Sequence, residues 1–144
     1  IMKRDNKLAA YGLLRPYNNK SKGVVYGYSL WNTGAFPVAM QDHNYKRGDK
    51  SGNKVVVECL NVDYETLTQF DFIENEGIMY KRVEETMYYE DESRPPETVF
   101  FYAGIRDYWK RYPMTPKIPS GDWEEFNRQR IKKLRGGVNM ELYS

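Results

Sequence analysis

The chain has 144 residues, with 22 basic against 20 acidic, a net charge of +2 and 15% aromatic side chains, 13 of them Tyr. That length supports one domain with a proper core, and so many rings exclude a disordered chain. The balanced charge excludes a nucleic-acid partner held by phosphate contacts, and no apolar run approaches the roughly 18 residues a membrane helix needs.

Along the chain, residues 7–12 read as a first strand that enters a loop at 13–19. The β-branched and aromatic run from Gly23 to Trp31 reads as one second strand, with Gly27 marking a bulge or a close backbone approach. Residues 35–40 form a short edge strand broken by Pro37, and 41–53 form a polar surface loop. The run 54–62 is apolar on both parities, which predicts a strand with both faces mostly buried.

Asp63 is a good N-cap for a helix from about Tyr64 to Asn75. Leu67, Phe70, Asp71 and Glu74 then fall at i, i+3, i+4 and i+7 and share the inward face. Gly77 suits the C-terminal cap or the turn after it. Residues 80–90 read as a strand with Val83, Met87 and Tyr89 on one parity, and 98–103 as another. Pro113, Pro116 and Pro119 predict an irregular 104–119. Asp122 and Glu125 form a capping-box pattern for a last helix, acidic at its start and basic at its end, stopped by Gly136-Gly137. The expected order is β-β-β-β-α-β-β-α, an α+β fold in one domain over 1–144. Its core spans about 7–126, followed by a basic C-terminal helix and tail over 122–144.

The reactive inventory is short. Cys59 is the one cysteine, so no internal disulfide is possible and a reducing compartment is expected. It lies in an apolar run and reads as an inert core thiol. His43, the one histidine, lies in a polar stretch and reads as a solvated loop residue. One Cys and one His exclude Cys/His zinc sites, and neither a GxxxxGK[ST] nor a GxGxxG loop occurs. The first residues carry no apolar h-region, so no secretory signal is expected and the chain reads as cytoplasmic. An enzyme with this inventory works with carboxylates, backbone amides and tyrosines.

Four stretches then carry a family resemblance. Tyr11-Gly12-Leu13-Leu14-Arg15 is similar to a Y-G-[ST]-x-[RK] loop after strand one. Residues 25–30 followed by Gly34-Ala35-Phe36-Pro37-Val38 are similar to a glycine-led segment ending in an aromatic-Pro step. Leu67 to Glu74 followed by Tyr80-Lys81-Arg82 resembles L-x-x-L-D-x-x-E…Y-x-R, and residues 118–123 resemble a tail common in the same group. Together, across about 8–126, they resemble the γ-glutamylcyclotransferase-like (AIG2-like) family.

The resemblance implies a small mixed β-barrel-like fold with flanking helices and one cavity. It implies an enzyme that cyclises a γ-glutamyl amine or amide to 5-oxoproline and releases the amine, with no cofactor or metal. Glu74 takes the position of the general acid/base, and Tyr11, Gly12, Leu13 and Leu14 that of the loop holding the glutamyl part. Tyr80 is a further candidate for lining the cavity, as is Tyr102. Glu76 competes locally with Glu74, while Asp71 reads as structural, bonded to backbone, and Arg82 as an anchor for a carboxylate. Leu13 stands where Ser or Thr is common in the family, and Asn75 where Gly is frequent. A different reading is a non-catalytic member whose pocket is a small-ligand or protein interaction module.

Overall fold

A computed structural model of the chain describes residues 7–10, 21–34, 36–113 and 115–137, with the side chains of 7–10, 115–116 and 133–137 left aside. Five strands close a barrel in the order β1 (Lys7–Ala10), β5 (Lys54–Asn61), β2 (Ser21–Tyr26), β6 (Tyr80–Tyr89), β7 (Glu97–Gly104). All neighbours are antiparallel except β1 and β7, which close the ring in parallel with Leu8 opposite Phe100 and Ala9 opposite Phe101. A second sheet runs β4 (Pro37–Gln41), β3 (Tyr28–Asn32), β8 (Thr115–Ile118). Three helices complete the chain: α1 (Tyr64–Ile73), the short α2 (Arg106–Trp109) and α3 (Trp123–Gly137).

The barrel interior follows strand parity. Val25, Val55, Val57, Cys59, Met87, Val99 and Phe101 are all buried. The strand expected over 54–62 lies in the barrel between β1 and β2. Its alternate residues Val56 and Glu58 are only half-buried, so one face is core and the other is partly covered.

The run 23–31 is not one strand. It breaks at Gly27 into β2, which belongs to the barrel, and β3, which belongs to the other sheet. Gly27 has φ 89, donates to Asn53 O at 2.7 Å and accepts from the Asp42 amide at 2.9 Å. The Tyr45 ring lies where a Cβ on residue 27 would be. The left-handed backbone and the ring contact both require glycine.

Residues 104–119 are more regular than three prolines suggest, because α2 and β8 both fall within them. Pro116 is tolerated because β8 is an edge strand, with β3 on one side only. α2 is held by Trp109, whose indole donates to Met79 O at 2.9 Å and whose ring meets Phe36, Tyr80 and Tyr108 edge-on. At α3, the Asp122 side chain accepts from the Glu125 amide at 3.2 Å, which is one half of the expected capping box. The other half is replaced, because the Asp122 amide donates to Ser120 Oγ at 3.2 Å. Among the described residues, no helix is long and apolar enough to cross a membrane.

Gly27→Ala should cost about 2–4 kcal/mol of stability, from left-handed strain plus overlap with the Tyr45 ring. Chemical denaturation measures it. A loss below about 0.5 kcal/mol, the usual span of a neutral surface change, would contradict the pivot described here.

Candidate active site

α1 is built as its sequence requires. Asp63 caps it, accepting from the Thr66 amide at 2.8 Å, and Leu67 and Phe70 are buried against the barrel. The helix ends at Glu74, its C-terminal cap. Asn75 follows with φ 50, its amide donating to Phe72 O at 3.1 Å, while the Glu76 amide reaches Asp71 O at 2.9 Å. This pair of bonds is a Schellman closure, and Asn is the residue that replaces Gly there most readily. The left-handed residue that closes the helix, one past the cap, is therefore Asn75, and Gly77, with φ 91, serves the turn after it.

Asp71 fixes the helix end to the barrel wall. The Tyr102 hydroxyl donates to Asp71 Oδ1 at 2.5 Å, and Arg82 Nη1 donates to Asp71 Oδ2 at 2.7 Å. Tyr102 and Arg82 face one another across β6 and β7, and the Arg82 guanidinium lies 5.0 Å from the Phe100 ring centroid. The expectation that Arg82 anchors a carboxylate within the fold holds. The expectation that Asp71 bonds backbone does not, because both its oxygens are taken by side chains from the barrel. Burial, then the hydrogen bond to Asp71, hold the Tyr102 phenol above its ordinary pKa, and the negative charge of nearby Glu74 adds to this.

Four acids compete for attention near the barrel, and their partners separate them. Asp71 is committed to Tyr102 and Arg82. Glu76 is exposed, and its Oε2 accepts from the Arg82 amide at 3.2 Å. Glu85 is 4% exposed inside the barrel. Its carboxylate accepts from the Tyr28 hydroxyl at 2.8 Å and from the Tyr45 hydroxyl at 2.5 and 2.8 Å. Burial, then the Glu85 hydrogen bond and charge, push the Tyr45 phenol up to about 12. Glu74 alone of the four has no side-chain hydrogen bond or ion pair among the described residues. It is half-buried, and burial raises its pKa above the ordinary carboxylate value of 4.5.

Sequence reasoning missed Glu85. The signal was present, because residue 85 shares the parity of Val83, Met87 and Tyr89 that was assigned to the core. A charge on an apolar parity is either paired or functional, and here two tyrosines pair it.

Tyr80 is 3% exposed, with its ring edge-on to Trp109 at 5.6 Å, so it belongs to the packed wall around Trp109. Tyr11, Gly12, Leu13 and Leu14 lie outside the described residues. What the backbone does give is direction. β1 runs parallel to β7, so Ala10, the residue before Tyr11, lies at the barrel end that carries Tyr102. His43 is exposed between β4 and β5, and Cys59 is buried in the barrel, both as expected. Among the described residues, no group of three His, Cys, Asp or Glu side chains is placed to hold a metal ion.

Glu74 makes a pH-dependent contribution to stability. A carboxylate whose pKa is raised on folding favours the folded state fully below its unfolded pKa, and loses that contribution as pH rises through the folded value. Glu74→Gln removes the penalty of burying the charge. The variant should match the parent in Tm below about pH 4, near the model-peptide pKa of Glu, and exceed it at pH 7 to 8. Thermal melts across that range test this, and a Tm difference independent of pH would contradict it.

The residue pattern and the fold can now be compared with known proteins. A family model described as "Gamma-glutamyl cyclotransferase, AIG2-like" matches residues 2–125. Among solved structures, an uncharacterised protein from Pyrococcus horikoshii is 23% identical, covers 87% of this chain and 95% of its own, and has a TM-score of 0.58. An AIG2-like protein from Mus musculus is 20% identical, covers 83% of this chain and 92% of its own, and has a TM-score of 0.56. An Arabidopsis thaliana protein at 15% identity covers 95% of this chain and 90% of its own, with a TM-score of 0.58. At these identities the likeness is one of fold. No curated protein matches the chain by sequence.

Proposed function

Since the chain belongs to the gamma-glutamyl cyclotransferase, AIG2-like family, we propose that it cyclises a γ-glutamyl amine or amide to 5-oxoproline, with Glu74 as general acid/base. One observation carries this reading. Glu74 stands in the family's D-x-x-E position and is the half-buried acid left without a partner among the described residues, while Asp71, Glu76 and Glu85 are all engaged.

The reaction asks little of the protein beyond placement and one proton. The substrate's own α-amine attacks its γ-carbonyl carbon. A C–N bond forms to close the five-membered ring, and the C–N bond to the leaving amine breaks. The enzyme holds amine and carbonyl in contact, which is a proximity effect. The attacking nitrogen loses a proton and the leaving nitrogen gains one. A single carboxylate performs both transfers when desolvation brings its pKa towards neutrality, as burial does for Glu74.

The loop of Tyr11, Gly12, Leu13 and Leu14 is proposed to hold the glutamyl part through backbone N–H groups, which bind a carboxylate or a developing oxyanion without a charged side chain. Leu13 supplies no hydroxyl, so in this reading the amides alone do the binding. In favour of this reading, β1 ends at the Tyr102 end of the barrel, where Glu74 also lies. Tyr80 is proposed as a second-rank wall residue acting through its packing with Trp109.

A second reading has its own observation. Phe72 is 88% exposed and Ile73 and Ile78 are also exposed, bracketing Glu74 in sequence, which suits a contact surface for another protein. The assay separates the two. The parent should release 5-oxoproline from at least one of γ-glutamyl amino acids, γ-glutamyl-ε-lysine or γ-glutamyl polyamines. Glu74→Gln should lose about 10²–10⁴-fold in rate. Release that survives in Glu74→Gln would remove the proposed role. Silence of the folded parent across the panel would favour the interaction module.

A further inference from the structure

Away from Glu74, a cleft of about 450 Å³ opens between the second sheet and the 41–53 loop. It shares no lining residue with the group formed by Asp71, Glu74, Arg82 and Tyr102. Its volume is that of a small-molecule site. Its walls are held from several directions. Asp42 accepts from Ser29 Oγ at 2.5 Å and from Asn53 Nδ2 at 3.2 Å, and Asn53 also donates to Ser29 Oγ at 3.1 Å. Arg106, at the start of α2, is oriented by one bond from Nη2 to Gln41 O at 2.7 Å. Lys117, on β8, sits opposite Trp31 on β3 with its ammonium 5.6 Å from the ring centroid.

Some cations of the molecule meet acids, as in Arg82 with Asp71, Lys22 with Glu90 and Lys110 with Asp107, and others lie over aromatic rings, as Arg94 does over Tyr89. Arg106 and Lys117 have no carboxylate partner among the described residues, yet line one cavity from two separate elements. The single acid of the cleft, Asp42, is engaged by neutral donors instead. Two cations against one carboxylate leave a net positive site, and the Arg106 guanidinium keeps donors beyond the one on Gln41. Such a fork suits a carboxylate. The Trp31 ring offers a flat apolar wall beside it.

We infer that this cleft is a second ligand site, taking a small monocarboxylate with a planar apolar body. Its carboxylate lies between Arg106 and Lys117 and its flat part against Trp31. A dianion is disfavoured because Asp42 sits in the same wall and repels the second charge. A cation is disfavoured by Arg106 and Lys117.

The probe is 2-naphthoate, titrated into the full chain by calorimetry, with the three tryptophan indole N–H signals followed by NMR. Saturable binding with a sub-millimolar Kd and a shift of the Trp31 signal are expected. Arg106→Gln and Lys117→Gln, both at exposed positions, should each weaken binding about tenfold, one charge-assisted hydrogen bond's worth. The Glu74→Gln variant should bind as the parent does, so the outcome is independent of the cyclotransferase reading. Non-saturable binding, an unchanged Kd in the Arg106→Gln and Lys117→Gln variants, or tighter binding of 2-naphthyl phosphate or 2-naphthylamine would each overturn the inference.

Discussion

The candidate site depends on one polar junction, the Asp71 carboxylate shared between the Tyr102 hydroxyl and the Arg82 guanidinium. Hydrophobic burial of Leu67 and Phe70 holds α1 against the barrel, but burial has no direction. Two charge-assisted bonds to groups facing each other on β6 and β7 fix where the helix ends, and so where the next turn puts Glu74. Asn75 completes the placement by taking the left-handed conformation that stops the helix one residue later. Without the Asp71 junction, the last turn of α1 would keep its apolar contacts and lose its register against the wall.

Acids at this barrel are distinguished by their partners rather than by burial alone. Glu85 is the more deeply buried, yet two phenols close it off, and Tyr45 ties the 41–53 loop across it while its ring packs on Gly27. That group spends a costly buried charge on joining the loop to the barrel. Glu74 is less buried and has no partner among the described residues, and burial raises its pKa. A carboxylate locked between two tyrosines is not accessible to a substrate.

The parts of the fold legible in the sequence are those set by local periodicity and caps. α1, with Asp63 at one end and its 67–70–71–74 face, was readable because each signal lies within a turn or two of the next. The strands expected at 54–62, 80–90 and 98–103 were readable from apolar runs or from alternation. Gly27 divides a run that is β-forming on both sides, and nothing local distinguishes a bulge from a change of sheet. β8 was hidden because prolines argue against a strand unless the strand is known to be an edge, which is a tertiary fact. The partners of Asp71 were equally out of reach, since Arg82 and Tyr102 are 11 and 31 residues away in sequence. The acid at position 74 was singled out by its helix face and by its place in the family pattern. Its lack of partners among the described residues emerges only when the other three acids are located.

The most direct test of this account is the titration of Glu74 itself, followed by its carboxyl ¹³C signal in the full chain and in the Asp71→Asn variant. The account predicts a midpoint above the ordinary 4.5 in the parent. It also predicts a return towards that value in Asp71→Asn, where the helix end is released and the carboxyl regains water. A parent midpoint at the ordinary value, or a raised midpoint unaltered by Asp71→Asn, would contradict the claim that the Asp71 junction holds Glu74 in its desolvated place.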